Sequence, residues 1–302
     1  MALCAQKKTK SQAGRRGLVR SASGTGLGVA ALAGGVHGLV QSLYDSLNSL
    51  ACSCVSITAK RRPHHRKRSQ RPSRPNSCFQ QAEGYLGTHT GGYAEYVAAP
   101  ASEFVRKPKQ IDFDTAASVP VAALTTWQGI FDHGKLATGQ RILITGASGA
   151  VGSMAVQLAK NKAAHVIGIG SGRNEEFVRK LGAAEFIDYK RTKFEDTVSG
   201  VDVVFDTVGG DTQERAFQTL KRGGFLVSTV NPPSPDKAKE FSVTVAMVMM
   251  MPKPDQLAEI NRLVEGGKLK VRVATVLPLA EVKKAHQLSA SGHADGKIIL
   301  RP

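Results

Sequence analysis

One short stretch constrains the fold of this chain more than any other, an apolar run that leads directly into a glycine-rich turn. Residues 141–145 (RILIT) contain β-branched side chains and predict a short buried strand. The turn GASGAVG (146–152) follows at once, and a helical stretch then places Val151, Ala155, Leu158 and Ala159 on one face. This order brings backbone N–H groups to a helix N-terminus, the kind of position at which a phosphate binds.

The sequence beyond this turn continues to alternate between strands and helices. Further strands are predicted at residues 165–169, 185–188, 201–208 and 224–230, and helices at residues 174–182 and 214–223. Gly182 is expected to end the first of these helices. Such alternation predicts a parallel sheet wound by right-handed crossovers. The fold class is therefore α/β, with a Rossmann-type doubly wound parallel sheet.

The spacing of the glycines indicates which ligand the turn holds. Gly149 and Gly152 occupy the last two places of a G-x-G-x-x-G fingerprint, but Ala147 stands at the place of the first glycine. The pattern is better described as G-x-x-G-x-x-G over Gly146, Gly149 and Gly152. Because it lies between a strand and an amphipathic helix, with a second strand about 20 residues further on, it predicts a dinucleotide pyrophosphate site. A purely structural turn is the alternative.

The end of the second strand bears on the choice between NADH and NADPH. An NAD site usually places Asp or Glu there to accept from the ribose 2′-OH. This chain has GSGRN (170–174) instead, in which Ser171 can donate a hydrogen bond and Arg173 can pair with a phosphate. NADPH is therefore favoured. Tyr189 either adds a hydroxyl near the same phosphate or is a surface aromatic residue.

The strong net charge of +17 belongs mainly to the N-terminal part. Residues 1–75 contain 14 Lys and Arg but only one acid, Asp45, whereas the rest contains 27 basic and 23 acidic residues. An Arg-rich, Ser-rich and acid-poor composition fits an organellar transit peptide. The run KRRPHHRKRSQRPSR (60–74) also fits a nuclear signal or a phosphate-binding patch, and a solvated charge run or a segment that is not native coding sequence remains open. We predict a basic, disordered tract over residues 1–82.

Neither a membrane span nor a metal site is predicted. The uncharged stretch 21–44 contains six glycines and several polar residues, which suit a membrane span poorly. All four cysteines lie within the first 78 residues, and Cys52-Ser53-Cys54 is too short for a C-x2-C zinc knuckle. In the part of the chain beyond residue 100 the histidines are scattered, at His133, His165, His286 and His293.

Several motifs, in order, carry a family resemblance. They are GGYAEYV (91–97), PVAALTTWQGI (120–130), GASGAVGSMAVQLAK (146–160), KLGAAEFIDY (180–189), DVVFDTVGG (202–210) and GHADGKIIL (292–300). Over about residues 85–302 the chain resembles the zinc-independent medium-chain dehydrogenases/reductases, and within them the NADPH-dependent quinone oxidoreductase branch. The resemblance implies a Rossmann domain plus a GroES-like catalytic domain, with the active site between them. It also implies hydride transfer from NADPH to a quinone or an α,β-unsaturated carbonyl.

The same resemblance implies cofactor-binding positions but no catalytic residue. For the pyrophosphate and the adenosine 2′-phosphate these positions are Gly146, Gly149, Ala150, Val151, Gly152, Ser171, Arg173 and Tyr189. For the nicotinamide and its ribose they are Thr125, Val208, Gly209, Thr229 and Asn231. No proton donor is assigned, because no such residue can be tied to the cleft.

The chain departs from the family in its N-terminal third. We expect a partial GroES-like domain over residues 83–122 and 268–302 and a Rossmann NADP-binding domain over residues 123–267. The early strands of the GroES-like domain have no counterpart in the basic tract. The stretch SVTVAMVMMM (242–251) alternates partly like a strand, and the corresponding region pairs across a dimer in this family. A homodimer is therefore expected, with a plain core strand as the alternative.

Two functions of different classes follow from these observations. The first is an NADPH-dependent reductase of a small-molecule quinone or enone, located in the cytoplasm or, if the N-terminal segment is a transit peptide, in an organelle. The second is an NADPH-binding but catalytically impaired protein that acts as a sensor or binds nucleic acid through its basic arm. Because no aromatic residue interleaves the basic run, nucleic acid is not the expected partner.

Overall fold

The computed structural model describes residues 78–80, 93, 104–291, 294 and 296–302. The strands are β1 Cys78–Gln80, β2 Phe104–Arg106, β3 Arg141–Ile144, β4 His165–Gly170, β5 Glu185–Asp188, β6 Val201–Asp206, β7 Leu220–Ser228, β8 Thr244–Met247, β9 Val273–Pro278 and β10 Lys297–Arg301. The helices are α1 Phe113–Ser118, α2 Pro120–Trp127, α3 Ala150–Asn161, α4 Glu175–Leu181, α5 Gly210–Ala216, α6 Pro235–Glu240, α7 Pro254–Glu265 and α8 Val282–Ala290. The predictions for residues 1–77 and for most of the GGYAEYV motif lie outside the described residues.

Six parallel strands form the central sheet in the order β5-β4-β3-β6-β7-β8. Ile142 of β3 lies opposite Val166 of β4 on one side and Val203 of β6 on the other. Strands β4 and β5 therefore follow β3 outward on one side of the sheet, and β6, β7 and β8 follow one another outward on the other side. This order is that of the doubly wound Rossmann sheet and confirms the predicted fold class. In such sheets ligands bind outside the carboxyl ends of the strands, where the direction of winding reverses.

Apolar side chains on both faces of the sheet explain why its strands are short apolar runs. Ile142 and Ile144 of β3 pack into the core on one face, whereas Leu143 packs into the core on the other. Helices α2, α3 and α7 contribute to the first core, and Phe217 and Leu226 contribute to the second. Burial on both faces is typical of a parallel sheet and favours continuous rather than alternating apolar residues.

Two of the predicted helices match their elements closely. In α3, three residues of the predicted common face, Ala155, Leu158 and Ala159, are buried, and the fourth, Val151, is half-buried. Helix α4 ends at Gly182, whose φ of 117° places it in the left-handed conformation. Glycine adopts this conformation without a steric penalty, which makes it a frequent helix terminator.

The helix predicted at residues 214–223 is wrong in its bounds. Helix α5 begins earlier, at Gly210, and β7 already begins at Leu220, which pairs with Val201 of β6. Gly209 and Gly210 both have positive φ and turn the chain into α5 directly after β6. Gly223 and Gly224 lie inside β7, near an irregularity in its pairing with β6. Glycine in a strand often marks such a local irregularity.

Two smaller pairs of strands lie outside the central sheet. Strand β10 pairs in parallel with β9, and β1 pairs antiparallel with β2. Strand β1 lies within the tract that was predicted over residues 1–82. Tyr93 of the GGYAEYV motif contacts His286 of α8, with 3.0 Å between its hydroxyl oxygen and the ring Nε2 atom. None of the described helices is long and apolar enough to cross a membrane.

Candidate functional site

The glycine turn between β3 and α3 forms the centre of the candidate site. Gly146 has a φ of +63°, and a Cβ atom there would come within 2.5 Å of Thr207 Oγ1. The N–H of Gly149 donates to the carbonyl oxygen of Gly146 at 2.9 Å, which closes the turn. Gly149 is also the N-cap residue of α3, and no side chain caps this helix. The space in front of the first N–H groups of α3 is therefore not filled by a capping side chain.

Gly152 allows α3 to rest directly on this turn. A Cβ atom at Gly152 would overlap the carbonyl oxygen of Gly146 and would lie 2.9 Å from the Cα atom of Ala147. The first turn of the helix and the end of β3 are therefore in backbone contact. Gly146, Gly149, Ala150, Val151 and Gly152 all lie in one compact turn at the carboxyl edge of the sheet, as the sequence predicted.

Helix α2 packs against the first turn of α3. The hydroxyl of Thr126 is fully buried and donates to the carbonyl oxygen of Ala122 at 2.8 Å and to that of Val151 at 3.2 Å. The second bond joins the two helices beside the glycine turn. Thr125, the adjacent residue of α2, is half-buried.

A second group of predicted residues follows β4 and β5, which are neighbours in the sheet. Ser171 and Arg173 follow β4, and Tyr189 follows β5 with its N–H donating to the carbonyl oxygen of Gly170 at 3.3 Å. The buried side chain of Asn174 donates to Ser148 Oγ at 3.1 Å and so joins the loop after β4 to the glycine turn. The structure therefore brings Ser171, Arg173 and Tyr189 to the same edge as the glycine turn.

The sequence analysis missed an acidic residue at this edge. Asp188 ends β5, and a Cβ atom at Gly172 would lie 2.5 Å from its Oδ2 atom. The carboxylate accepts from the N–H of Lys190 at 3.1 Å and lies 3.7 Å from the Nε atom of Arg191. Asp188 does not stand at the end of the second strand in the sequence, because it belongs to the neighbouring strand β5.

The third group follows β6 and β7. Thr207 joins β6 to β3, since its hydroxyl donates to the carbonyl oxygen of Thr145 at 2.7 Å and its N–H donates to Thr145 Oγ1 at 3.0 Å. Val208 is 49% exposed, an unusual environment for an apolar side chain that directly follows a buried strand. Thr229 and Asn231 follow β7, and the N–H of Thr229 donates to the main-chain oxygen of Asp206 at 3.0 Å.

Four fully buried polar side chains behind this third group are functional candidates that the sequence analysis also missed. They are Thr145, Asp206, Gln213 and Ser228. The motif VDVVFDTV (201–208) contained a signal for this. Asp206 directly follows the apolar residues VVF, which are expected to be buried in a strand. A buried carboxylate must be hydrogen-bonded, which marks its neighbours as polar partners.

The described residues contain no group of three or more His, Cys, Asp or Glu side chains arranged to hold a metal ion. Two of the histidines have other partners. His165 Nε2 lies 2.5 Å from Glu185 Oε1 across β4 and β5, and His286 contacts Tyr93.

Comparisons with known proteins agree with this geometry. A model of the zinc-binding dehydrogenase family matches residues 181–300. A probable zinc-binding oxidoreductase, mitochondrial, from Arthroderma benhamiae is 34% identical over 231 residues, which cover 71% of this chain and 70% of that protein. The chain belongs to the zinc-binding dehydrogenase family, within the medium-chain dehydrogenases/reductases. It is thus a member of a family of oxidoreductases, as the motif order predicted.

Two further comparisons are with the sequence of another oxidoreductase and with a solved structure. An NADPH-dependent alkenal/one oxidoreductase, chloroplastic, from Arabidopsis thaliana is 34% identical over 216 residues, which cover 70% of this chain and 53% of that protein. The solved structure of the quinone oxidoreductase from Coxiella burnetii superposes with a TM-score of 0.75 at 27% identity, over 85% of this chain and 83% of that one. Across the curated relatives that it matches, the chain covers between 53% and 70% of their length.

Proposed function

We propose that this chain binds NADPH at the glycine turn and transfers its hydride to a quinone or an α,β-unsaturated carbonyl without zinc. The observation that carries the proposal is the uncapped N-terminus of α3, held by three glycines at the point where the winding of the sheet reverses. Free backbone N–H groups and the helix dipole both favour a phosphate there. The close approach of a pyrophosphate requires the absence of a side chain at Gly149, whereas Gly146 is required by its positive φ and its contact with Thr207.

The residues around the turn fit a dinucleotide. Ala150 and Val151 would hold the pyrophosphate through their N–H groups, Gly149 would let it approach the backbone, and Gly146 and Gly152 shape the turn. Gly152 in particular has no room for a side chain, since a Cβ atom there would overlap Gly146. This close packing of helix on strand is the role expected of the last glycine in a dinucleotide-binding fingerprint.

The charges at the edge of β4 and β5 favour a 2′-phosphate over a free 2′-hydroxyl. Ser171, Arg173 and Tyr189 would surround the phosphate. Asp188 opposes this assignment by its charge, but its carboxylate accepts from the N–H of Lys190 and lies 3.7 Å from the guanidinium of Arg191. Arg173 and Arg191 oppose the charge of Asp188, and Glu175 and Glu176 pair with Arg179 and Lys180 of their own helix, which supports NADPH over NADH.

The opposite side of the glycine turn would hold the nicotinamide half of the cofactor. Thr125, Val208, Gly209, Thr229 and Asn231 would border the ring and its ribose. The exposed side chain of Val208 offers an apolar surface for a planar ring. When bound, the cofactor supplies the hydride, so the protein has to bind it, orient it and exclude water.

The substrate class rests on the relatives, one of which is named as an alkenal/one oxidoreductase and another as a quinone oxidoreductase. Independence from zinc is supported by the partners of the histidines. His165 pairs with Glu185 and His286 with Tyr93, so these two side chains are engaged in contacts within the protein. The cysteines all lie within the first 78 residues.

Steady-state oxidation of NADPH with a panel of quinones and enones tests the proposal. We expect turnover with at least one acceptor, a higher rate with NADPH than with NADH, and no change after treatment with a chelator. Normal binding of NADPH without turnover on any acceptor would reject the enzyme and favour the alternative of an impaired NADPH sensor. Loss of activity on chelation, restored by Zn²⁺, would reject zinc independence.

The proposal extends to assembly and location. Strand β8 is an edge strand of the central sheet, which supports pairing with a second copy through residues 242–251. Light scattering on the purified chain should give the mass of a dimer; a monomer would contradict this. We keep the cytoplasm as the predicted location. The names of relatives in mitochondria and chloroplasts support the organellar alternative, which imaging of a fluorescent fusion with and without residues 1–82 decides.

A further inference from the structure

One buried carboxylate joins the ends of three neighbouring strands behind the proposed nicotinamide position. Asp206 is the last residue of β6 and is fully buried. Its Oδ1 atom accepts from Thr145 Oγ1 at 2.7 Å, and its Oδ2 atom accepts from Ser228 Oγ at 2.9 Å. Thr145 directly follows β3 and Ser228 ends β7. The carboxylate therefore connects β6 to both of its neighbours at the carboxyl edge.

The same carboxylate fixes the turn that follows β6. The N–H groups of Val208 and Gly209 both donate to its Oδ1 atom at 3.1 Å, and the N–H of Gly209 also donates to Oδ2 at 3.2 Å. Gly209 has a φ of +74°, and a Cβ atom there would lie 3.1 Å from Val230 Cγ1. Hydrogen bonds to Asp206 thus fix the backbone of the Val208–Gly209 turn, and Val230 restricts the space beside Gly209.

A third set of bonds runs from Asp206 to Asn231 through Gln213. The fully buried amide nitrogen of Gln213 donates to Asp206 Oδ2 at 3.1 Å and to the main-chain oxygen of Asn231 at 3.1 Å. The amide oxygen of Gln213 accepts from Asn231 Nδ2 at 3.1 Å. Gln213, which is oriented by Asp206, therefore orients both the main chain and the side chain of Asn231.

We propose that Asp206 is a positioning residue that sets the Val208–Gly209 turn and Asn231 for the nicotinamide half of NADPH. This inference rests on the proposed cofactor site and deepens it. All the bonds to the two oxygens of Asp206 come from donors, and an ionised carboxylate is the side chain that only accepts. A carboxamide of the same shape would turn N–H groups toward N–H and O–H donors. Because Asp206 is fully buried, it acts through its neighbours rather than on the cofactor.

The Asp206→Asn variant of the full chain tests this role, with Asp202→Asn as the matched control. Asp202 lies on the same strand, also accepts from the main chain of β3 through the N–H of Arg141, and is located at the opposite end of the sheet. Isothermal titration with NADPH and with adenosine 2′,5′-bisphosphate separates the two halves of the cofactor. We expect Asp206→Asn to raise the Kd for NADPH about tenfold and to change that for the bisphosphate less than about twofold. Asp202→Asn should change neither.

The other outcomes of these titrations lead to different conclusions. An unchanged Kd for NADPH in Asp206→Asn overturns the positioning role. An equal loss of affinity for both ligands in Asp206→Asn also overturns it, and so does a matching loss of affinity for NADPH in Asp202→Asn, since either result indicates a general structural effect. A wild-type chain that binds neither ligand rejects the proposed function itself, which is distinct from either result.

A second variant applies if Asp206→Asn does not fold. Gln213→Met keeps the carboxylate with its bonds to Thr145, Ser228 and the Val208–Gly209 turn, and removes the bonds of Gln213 to Asp206 and to Asn231. We expect a loss of about threefold in affinity for NADPH and none for the bisphosphate. Thr219→Ala, which removes a buried hydroxyl bound to the carbonyl oxygen of Ala216 nearby, is its control. Equal affinities for NADPH in wild type and Gln213→Met would overturn the route through Asn231.

Discussion

The side-chain amide of Gln157 pairs with both main-chain polar groups of Lys270. Its Nε2 atom donates to the carbonyl oxygen of Lys270 at 2.9 Å, and its Oε1 atom accepts from the N–H of Lys270 at 2.8 Å. Gln157 is buried in the middle of α3, whereas Lys270 lies between α7 and β9. The helix that begins at the proposed pyrophosphate site is therefore fixed to the segment where we expect the chain to leave the Rossmann domain.

Replacing Gln157 by Leu should lower the free energy of unfolding. The substitution replaces the amide by an apolar side chain of similar size and leaves the N–H and carbonyl of Lys270 without their amide partner. We expect a loss of about 2 kcal/mol, measured by urea-induced unfolding. Gln287→Leu, at an exposed position of α8, should change the stability by less than about 0.5 kcal/mol. Equal stabilities of the two variants would show that the pairing contributes nothing.

Two glycines of the same turn should respond differently to substitution by alanine. Gly152→Ala places a methyl group onto the carbonyl oxygen of Gly146, so we expect a loss of about 3 kcal/mol in the free energy of unfolding. Gly149 has a φ of −71°, and its added Cβ atom would lie 3.3 Å from the same oxygen. Gly149→Ala should therefore fold nearly as well as wild type.

The effect of Gly149→Ala on ligand binding completes this prediction. Its methyl group would enter the space proposed for the pyrophosphate, so the Kd for NADPH should rise about tenfold or more in a folded protein. Thermal unfolding and NADPH titration of both variants check the result. A Gly149→Ala variant with unchanged affinity would contradict the proposed position of the pyrophosphate.

The sequence predicted the elements that depend on local pattern, but not the contacts between distant strands. The apolar run before Gly146 and the common face of α3 were sufficient for the strand, the turn and the helix. The bounds of α5 were wrong because pairing with β6 extends β7 back to Leu220, across Gly223 and Gly224. Asp188 and Asp206 were missed for a similar reason. Their roles depend on which strands become neighbours, which no local spacing reveals.

Arg173 should decide the preference between the two nicotinamide cofactors. Arg173→Ala removes a guanidinium proposed to pair with the 2′-phosphate, which NADH lacks. We expect the Kd for NADPH to rise about tenfold and that for NADH to change less than about twofold. Arg222→Ala, at an exposed position of β7, serves as a control for loss of a positive charge. Equal effects of Arg173→Ala on both cofactors would place the 2′-phosphate elsewhere.

Asp202 should make the stability of the protein depend on acid pH. Burial raises the pKa of this carboxyl group, but hydrogen bonds from Lys221 and from the N–H of Arg141 outweigh this effect and hold the pKa below its ordinary value of 3.8. A lowered pKa means that the ionised form stabilises the fold at neutral pH. This contribution is lost as the pH falls through the pKa in the folded state.

The Asp202→Asn variant isolates this contribution. At pH 7 we expect it to be about 1–2 kcal/mol less stable than wild type, because an amide cannot form the ion pair with Lys221. The difference should shrink as the pH falls below 3.8, where the carboxyl group becomes neutral in the unfolded chain, and should be lost below the lowered pKa of the folded state. Urea unfolding at a series of pH values measures it, with Asp236→Asn as an exposed control. A difference that stays constant down to pH 2 would show that the charge of Asp202 does not stabilise the strand end.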